Sequence, residues 1–239
     1  MIGMVKKMNY RKLINDIKNN EIKKVYLIYR SETYLIDKGW ENLRDATVTS
    51  FPELNYTILD GEQTKASEVA EACGTFPFGT EKRLIVVRDL KLLKSKGASD
   101  EESPAPSGEL KSYIDVINTI PDSSCLLFLS YGGIGKGKKL INEIKKIGAV
   151  YEFGRIDRED LATWTRNALK KESKEITPRD LDYLINSTGY LDKNSSKTLY
   201  DMESIIKKLI NYMGETKKVE PVHIEAVLPR NIEKDIFKL

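Results

Sequence analysis

Apolar residues along this chain switch between two spacings. Leu13, Ile14 and Ile17 recur at helical intervals and predict a helix over residues 9–18. Val25 to Tyr29 is a continuous run, short, β-branched and aromatic, with lysines before it. That composition predicts a strand buried on both faces. Ser31 is placed to cap a helix reaching about residue 46, with Leu35, Ile36, Trp40 and Leu43 on one side. The alternation then repeats. Strands are predicted at 56–59, 83–87, 125–129 and 149–153, and helices at 66–73, 109–120 and 139–147, with a turn at Asp60-Gly61. Five apolar strands alternating with helices imply an α/β domain whose parallel sheet is covered on both sides.

Past Gly154 the strand signals stop. Asp157 is placed to cap a helix carrying Leu161, Trp164 and Ala168. Thr177-Pro178 reads as an N-cap followed by proline at the first helical position, ahead of Leu181, Leu184 and Ile185. Leu199, Met202, Ile206, Leu209 and Met213 mark a third helix that ends before Gly214. Too short for a coiled-coil seam, this stripe reads as bundle core. A fourth, short helix follows Pro221 and stops at Pro229. The expected organisation is an α/β domain over 1–155, a small helical domain over 156–230, and a connecting segment at 231–239. Residues 94–108 (KSKGASDEESPAPSG) have no periodic apolar positions and are expected to form a mobile loop.

Composition narrows the chemistry. With 239 residues the chain can bury a core without staples, and its 39 basic and 36 acidic residues leave a formal charge of +3. That balance is not the footprint of a DNA-coating protein, although it permits a local basic patch. No stretch approaches the ~20 apolar residues of a membrane span, and the short basic start lacks an apolar signal core. A cytoplasmic location is the default. Cys73 and Cys125 form no paired motif. His223 is the single histidine, so multi-histidine metal sites are excluded and a Ser-His-Asp triad would have to use it. Its place in the first turn of a short helix suits an ordinary helix-end residue. No metal and no cofactor is expected.

An α/β domain followed by a helical one is a layout used by nucleotide-driven machines, which carry a recognisable set of phosphate-binding parts. A first strand should run into a glycine-rich loop ending in Gly-Lys-Ser/Thr. Here it runs into Arg30-Ser31-Glu32-Thr33-Tyr34-Leu35, with no glycine and no lysine, and Glu32 would repel a phosphate. The third strand should end in a carboxylate pair but ends Val87-Arg88-Asp89. A near-match lies elsewhere. Gly132-Gly133-Ile134-Gly135-Lys136-Gly137-Lys138 fits G-x-x-x-x-G-K between a strand and a helix, but Lys139 stands where the Mg²⁺-binding hydroxyl belongs. A P-loop ATPase using residues 132–139 is therefore one reading. A solvated basic turn is another. Contact of Lys136, Lys138, Lys139, Lys145 and Lys146 with nucleic-acid phosphates is a third.

Several segments, in order across nearly the whole chain, resemble the delta subunit of the bacterial DNA polymerase III clamp loader. They are Lys24 to Tyr29 followed by Glu32-Thr33-Tyr34-Leu35-Ile36, Thr75 to Val87, Ser124 to Ser130, Gly148 to Phe153, Thr177-Pro178, and Asn231 to Leu239. The most specific is Thr75-Phe76-Pro77-Phe78-Gly79-Thr80-Glu81-Lys82-Arg83 with the strand after it. The resemblance implies an AAA+-like five-stranded domain with a degenerate nucleotide site, followed by a helical lid. It also implies a non-catalytic subunit of a DNA polymerase holoenzyme. Such a subunit binds the ring-shaped sliding clamp (the beta subunit) and helps open it, while other loader subunits hydrolyse ATP and primer-template DNA is held within the loader. No membrane contact is implied. The family's clamp-binding element falls on Phe76, Pro77 and Phe78. Two departures stand out: the glycine-rich turn at 132–139, and a third, collar domain that would begin where this chain stops.

Read from the residues alone, Phe76-Pro77-Phe78-Gly79 lies in a loop between a helix end and a strand, stiffened by proline and turned by glycine. Two aromatic rings there either anchor a partner or fold back onto the domain's own core.

Overall fold

In the computed structural model residues 2–94, 107–135 and 138–228 are described. Most of the loop expected at 94–108, Lys136 of the basic set, and the connecting segment 231–239 lie outside them.

Five strands form one parallel sheet: β1 (Val25–Tyr29), β2 (Tyr56–Asp60), β3 (Arg83–Arg88), β4 (Ser124–Ser130) and β5 (Ala149–Glu152). Their order is β2-β3-β4-β1-β5. Sequence and position agree. The central β4 is apolar between its end serines and buried at every residue, whereas edge strands β2 and β5 carry Thr57, Asp60 and Glu152. Helices α1 (Ile2–Lys18), α2 (Thr33–Thr47), α3 (Pro52–Asn55), α4 (Ala66–Gly74), α5 (Ser107–Thr119) and α6 (Lys138–Ile147) complete the domain.

The pleat sends alternate residues to opposite faces. Val25, Leu27, Ile85, Val87, Leu126 and Phe128 pack with Val69 and Cys73 of α4, Tyr113 and Ile117 of α5, and Leu140 and Ile144 of α6. Their neighbours Tyr26, Ile28, Leu84, Val86 and Leu127 are buried on the other face, against which α1 and α2 pack. Each such side chain contributes about 1.5–3 kcal/mol on burial. Gly39 lets α2 approach the chain that follows β5, since a Cβ there would lie 2.8 Å from Phe153 Cε2.

Three local readings change. The first helix begins at Ile2 rather than residue 9. Helix α2 is capped at Glu32 rather than Ser31, because Glu32 N–H donates to Phe153 O (2.9 Å) while Glu32 O accepts from Leu35 and Ile36. The single turn α3, opened by Pro52 at its first position, has no periodic signal in the sequence.

The chain separates into two compact units, Met1–Arg155 and Ile156–Leu239. The second contains α7 (Arg158–Lys171), α8 (Pro178–Thr188), α9 (Leu199–Met213) and α10 (Pro221–Val227). Asp157 caps α7 by accepting from Asp160 N–H at 2.9 Å, and Thr177 caps α8 by accepting from Asp180 N–H at 3.1 Å. Leu169, Leu184, Ile206, Leu209, Met213 and Ile224 share one core, so the α9 stripe is bundle interior. His223 caps its own helix: Glu220 N–H donates to His223 Nδ1 at 3.1 Å. Among the described residues no helix is long and apolar enough to cross a membrane.

Candidate partner-docking site

In a parallel sheet the segments entering adjacent strands emerge side by side. Strands β2 and β3 are neighbours, with Tyr56 opposite Leu84. The loop from α4 to β3 therefore lies next to the connection from α2 to β2. The first loop presents Phe76, 85% exposed, and Phe78, 58% exposed; Pro77 between them is half-buried. Neither ring folds into the domain core. Phe78 meets Phe51 of the neighbouring connection edge-on, with ring centroids 5.1 Å apart.

The loop is held by its backbone. Asn55, fully buried at the end of α3, accepts from Phe78 N–H at 2.7 Å and donates from Nδ2 to Phe78 O at 2.6 Å. The same Nδ2 donates to Ser50 O at 2.8 Å, which joins the two loops through one side chain. Thr80 adds a contact to Thr49, Oγ1 to Oγ1 at 3.1 Å. Gly79 has φ +65°, and a Cβ on it would come within 2.9 Å of Phe51 Cε2. Phe51 has φ 47°, a left-handed conformation costing a bulky residue about 1–3 kcal/mol, which persists only where the surroundings enforce it. A rigid apolar tip of this kind can enter a pocket with little ordering cost. Phe51, Leu54 (49% exposed) and Asn55 were missed in the sequence. The available signal was a second Phe-Pro step, Phe51-Pro52, entering a strand.

The opposite edge of the sheet, at the C-terminal ends of the strands, is where an α/β fold of this order would hold a nucleotide. Only Arg30, Ser31 and Glu32 separate β1 from α2, too few for a phosphate cradle. Two of their amides are engaged: Arg30 N–H donates to Ser130 O at 3.2 Å and Glu32 N–H to Phe153 O at 2.9 Å. Glu32 is buried and is itself the N-cap residue of α2, the helix end that a phosphate would otherwise use. Arg30 pairs with Glu152. At the end of β3, Arg88 lies over the Trp40 ring at 5.6 Å, and Asp89 accepts from Tyr131 N–H at 3.3 Å. Tyr131 donates its own hydroxyl to Asp37 at 2.6 Å; burial first, and then this carboxylate, raise its pKa above the usual phenol value. Arg30, Arg88 and Asp89 are thus each engaged by a neighbour within the domain.

The glycine-rich turn is adjacent. An open cavity of about 620 Å³ is lined by Arg30, Ser31, Gly133, Gly135 and Lys138, among others. Gly132 and Gly133 face open space, and Ile134 forms a bridge with Lys94. Lys138 and Lys139 open α6 whereas Lys145 and Lys146 close it, and Lys146 pairs with Glu143 at 2.7 Å. The two pairs are about 10 Å apart along the helix axis, so they form a stripe rather than one cluster. Cys73 and Cys125 are buried free thiols, each pushed up to about 12 by burial.

A sequence profile of the DNA polymerase III delta-subunit family matches residues 26–153, more than half of the chain. The DNA polymerase III subunit delta of Bacillus subtilis is 25% identical over 225 residues, covering 93% of this chain and 62% of that protein. Among solved structures, the Bacillus subtilis DNA clamp loader delta protein superposes with a TM-score of 0.65 at 21% identity, over 96% of this chain and 65% of that one. A Thermotoga maritima RuvB Holliday junction branch migration motor superposes with a TM-score of 0.52 at 14% identity, over 93% of this chain and 67% of that one. The fold is thus AAA+-like. The chain spans less than two thirds of the length of the delta proteins it matches.

Proposed function

Because the chain belongs to the DNA polymerase III delta-subunit family, we propose that it serves a clamp loader in DNA replication by docking on the sliding clamp through Phe76, Pro77 and Phe78. The observation that carries this reading is the pair of exposed rings, Phe76 and Phe78, on a loop whose backbone is fixed by Asn55. Apolar anchors on a pre-set tip concentrate binding energy in few residues. By docking at the β2–β3 end of the sheet, the subunit helps to open the ring, and ATP hydrolysis is left to its partner subunits. The short β1–α2 connection and Arg88 at the end of β3 support that division of labour. Within the assembled loader, Lys136, Lys138, Lys139, Lys145 and Lys146 contact the phosphates of primer-template DNA. The work is done in the cytoplasm.

The test is calorimetry of the chain against a purified bacterial sliding clamp. Phe78→Ala is expected to cost about 2 kcal/mol or more of binding. Unchanged affinity would remove the docking assignment. Titration with Mg²⁺-ATP addresses the rival: saturable binding lost in Lys138→Ala would favour a P-loop ATPase at residues 132–139.

A further inference from the structure

The docking tip is not confined to one loop. Phe51 is 48% exposed and its ring leans on Phe78 at 5.1 Å, so a partner that covers the Phe78 ring must also reach Phe51. The two rings come from loops that are far apart in sequence and that meet because β2 and β3 are adjacent. They are tied together by one buried amide. Asn55 satisfies both backbone groups of Phe78 and also takes Ser50 O, leaving the Phe78 backbone little freedom to turn. Gly79 completes the arrangement, since any side chain there would displace the Phe51 ring. Surface aromatic residues with no role need no such support. Here a left-handed phenylalanine, a positive-φ glycine and a fully buried asparagine all converge on the backbone beneath two exposed rings.

We propose, resting on the docking reading above, that the clamp meets a two-loop surface: Phe51 is a second apolar anchor beside Phe78, and Asn55 is a positioning residue that sets the Phe78 backbone before the partner arrives. The occupant is the apolar pocket of the clamp that receives Phe78, because the Phe51 ring continues the same surface without a gap. Pre-setting lowers the ordering cost of association. Asn55 touches no partner; its effect passes through the Phe78 backbone and, by its bond to Ser50 O, through the loop that carries Phe51.

The experiment titrates the 239-residue chain and its variants into purified bacterial sliding clamp, and follows amide hydrogen exchange in the free chain. Phe51→Ala is expected to weaken binding at least about fivefold, and Asn55→Ala at least about tenfold. Asn55→Ala should also speed exchange at the Phe78 amide about tenfold or more while Val86 and Leu127, deep in the sheet, keep their protection. In a Phe78→Ala background Asn55→Ala should cost much less than it does alone, which separates positioning from general loss of stability. Should Asn55→Ala not fold, Phe51→Ala carries the test, since that residue is exposed. Loss of binding in Phe78→Ala with wild-type affinity in Phe51→Ala would overturn the two-loop surface and leave the docking reading standing. No binding by the unaltered chain would overturn both.

Discussion

Phe76 gives the cleanest separation between folding and binding. A phenylalanine side chain carries roughly 150–250 Å² of surface. At 85% exposed, Phe76 has about 30 Å² of a nominal ~200 Å² inside the fold, worth under about 1 kcal/mol at ~25 cal/mol per Å². The remaining ~170 Å² is available to a partner and is worth at most about 4 kcal/mol if wholly covered. Losses to side-chain ordering bring a realistic figure to about 2 kcal/mol, or roughly a thirtyfold change in Kd. Phe76→Ala should therefore weaken clamp binding about thirtyfold and shift the denaturation midpoint hardly at all. Calorimetry with the clamp and a urea titration of the free chain read the two quantities separately. Wild-type affinity in this variant would refute the placement of Phe76 in the interface. A drop in stability of about 2 kcal/mol would refute the burial argument, because the folded domain would then be using the ring itself.

Two other outcomes follow from the packing. Gly148 passes so close to β1 that a Cβ would run into Val25 O, with Ile144 O 3.1 Å away; Gly148→Ala should cost the first unit about 3 kcal/mol, and a wild-type denaturation midpoint would contradict it. Stability should also fall in alkali. Burial pushes Tyr113 from 10.0 and Cys73 from 9.0 each to about 12, with the Glu109 and Glu68 charges adding to the shift of Tyr113 and Arg83 opposing that of Cys73. The unfolded chain then loses these protons first. The stabilisation is complete below the unfolded values and is lost as pH climbs toward 12, each group contributing up to about 1.4 kcal/mol per pH unit. A denaturant midpoint that stays level from pH 8 to about 11 would contradict this assignment.

Much of the architecture was legible in one dimension. A run such as Val25 to Tyr29 has no polar alternation, and a strand without alternation must be buried on both faces, so a helix-covered parallel sheet followed. Asp157 and Thr177 were readable as caps because capping is decided within three residues. The lack of a glycine-rich loop after β1 was equally legible, since the three residues between β1 and α2, Arg30, Ser31 and Glu32, include no glycine. The rings Phe76 and Phe78 stood out as aromatics in a proline-stiffened loop, yet nothing in that loop decided whether they faced outward.

That decision belongs to the tertiary structure. Periodicity records whether a position is buried, but it does not name the strand lying alongside, because lateral pairing joins residues distant in the chain. Only the order β2-β3-β4-β1-β5 brings residues 50–55 beside residues 75–80. Asn55, an unremarkable polar residue before a strand, thereby becomes the buried amide that fixes Phe78, and Phe51 becomes its ring partner. The same lateral arrangement lays Arg88 over Trp40. Local sequence determined the strands, most of the helices, the caps at Asp157 and Thr177 and the lack of glycine after β1, since each depends on residues a few positions apart. The proposed docking surface was decided by strand adjacency, since its parts meet only once the sheet has formed.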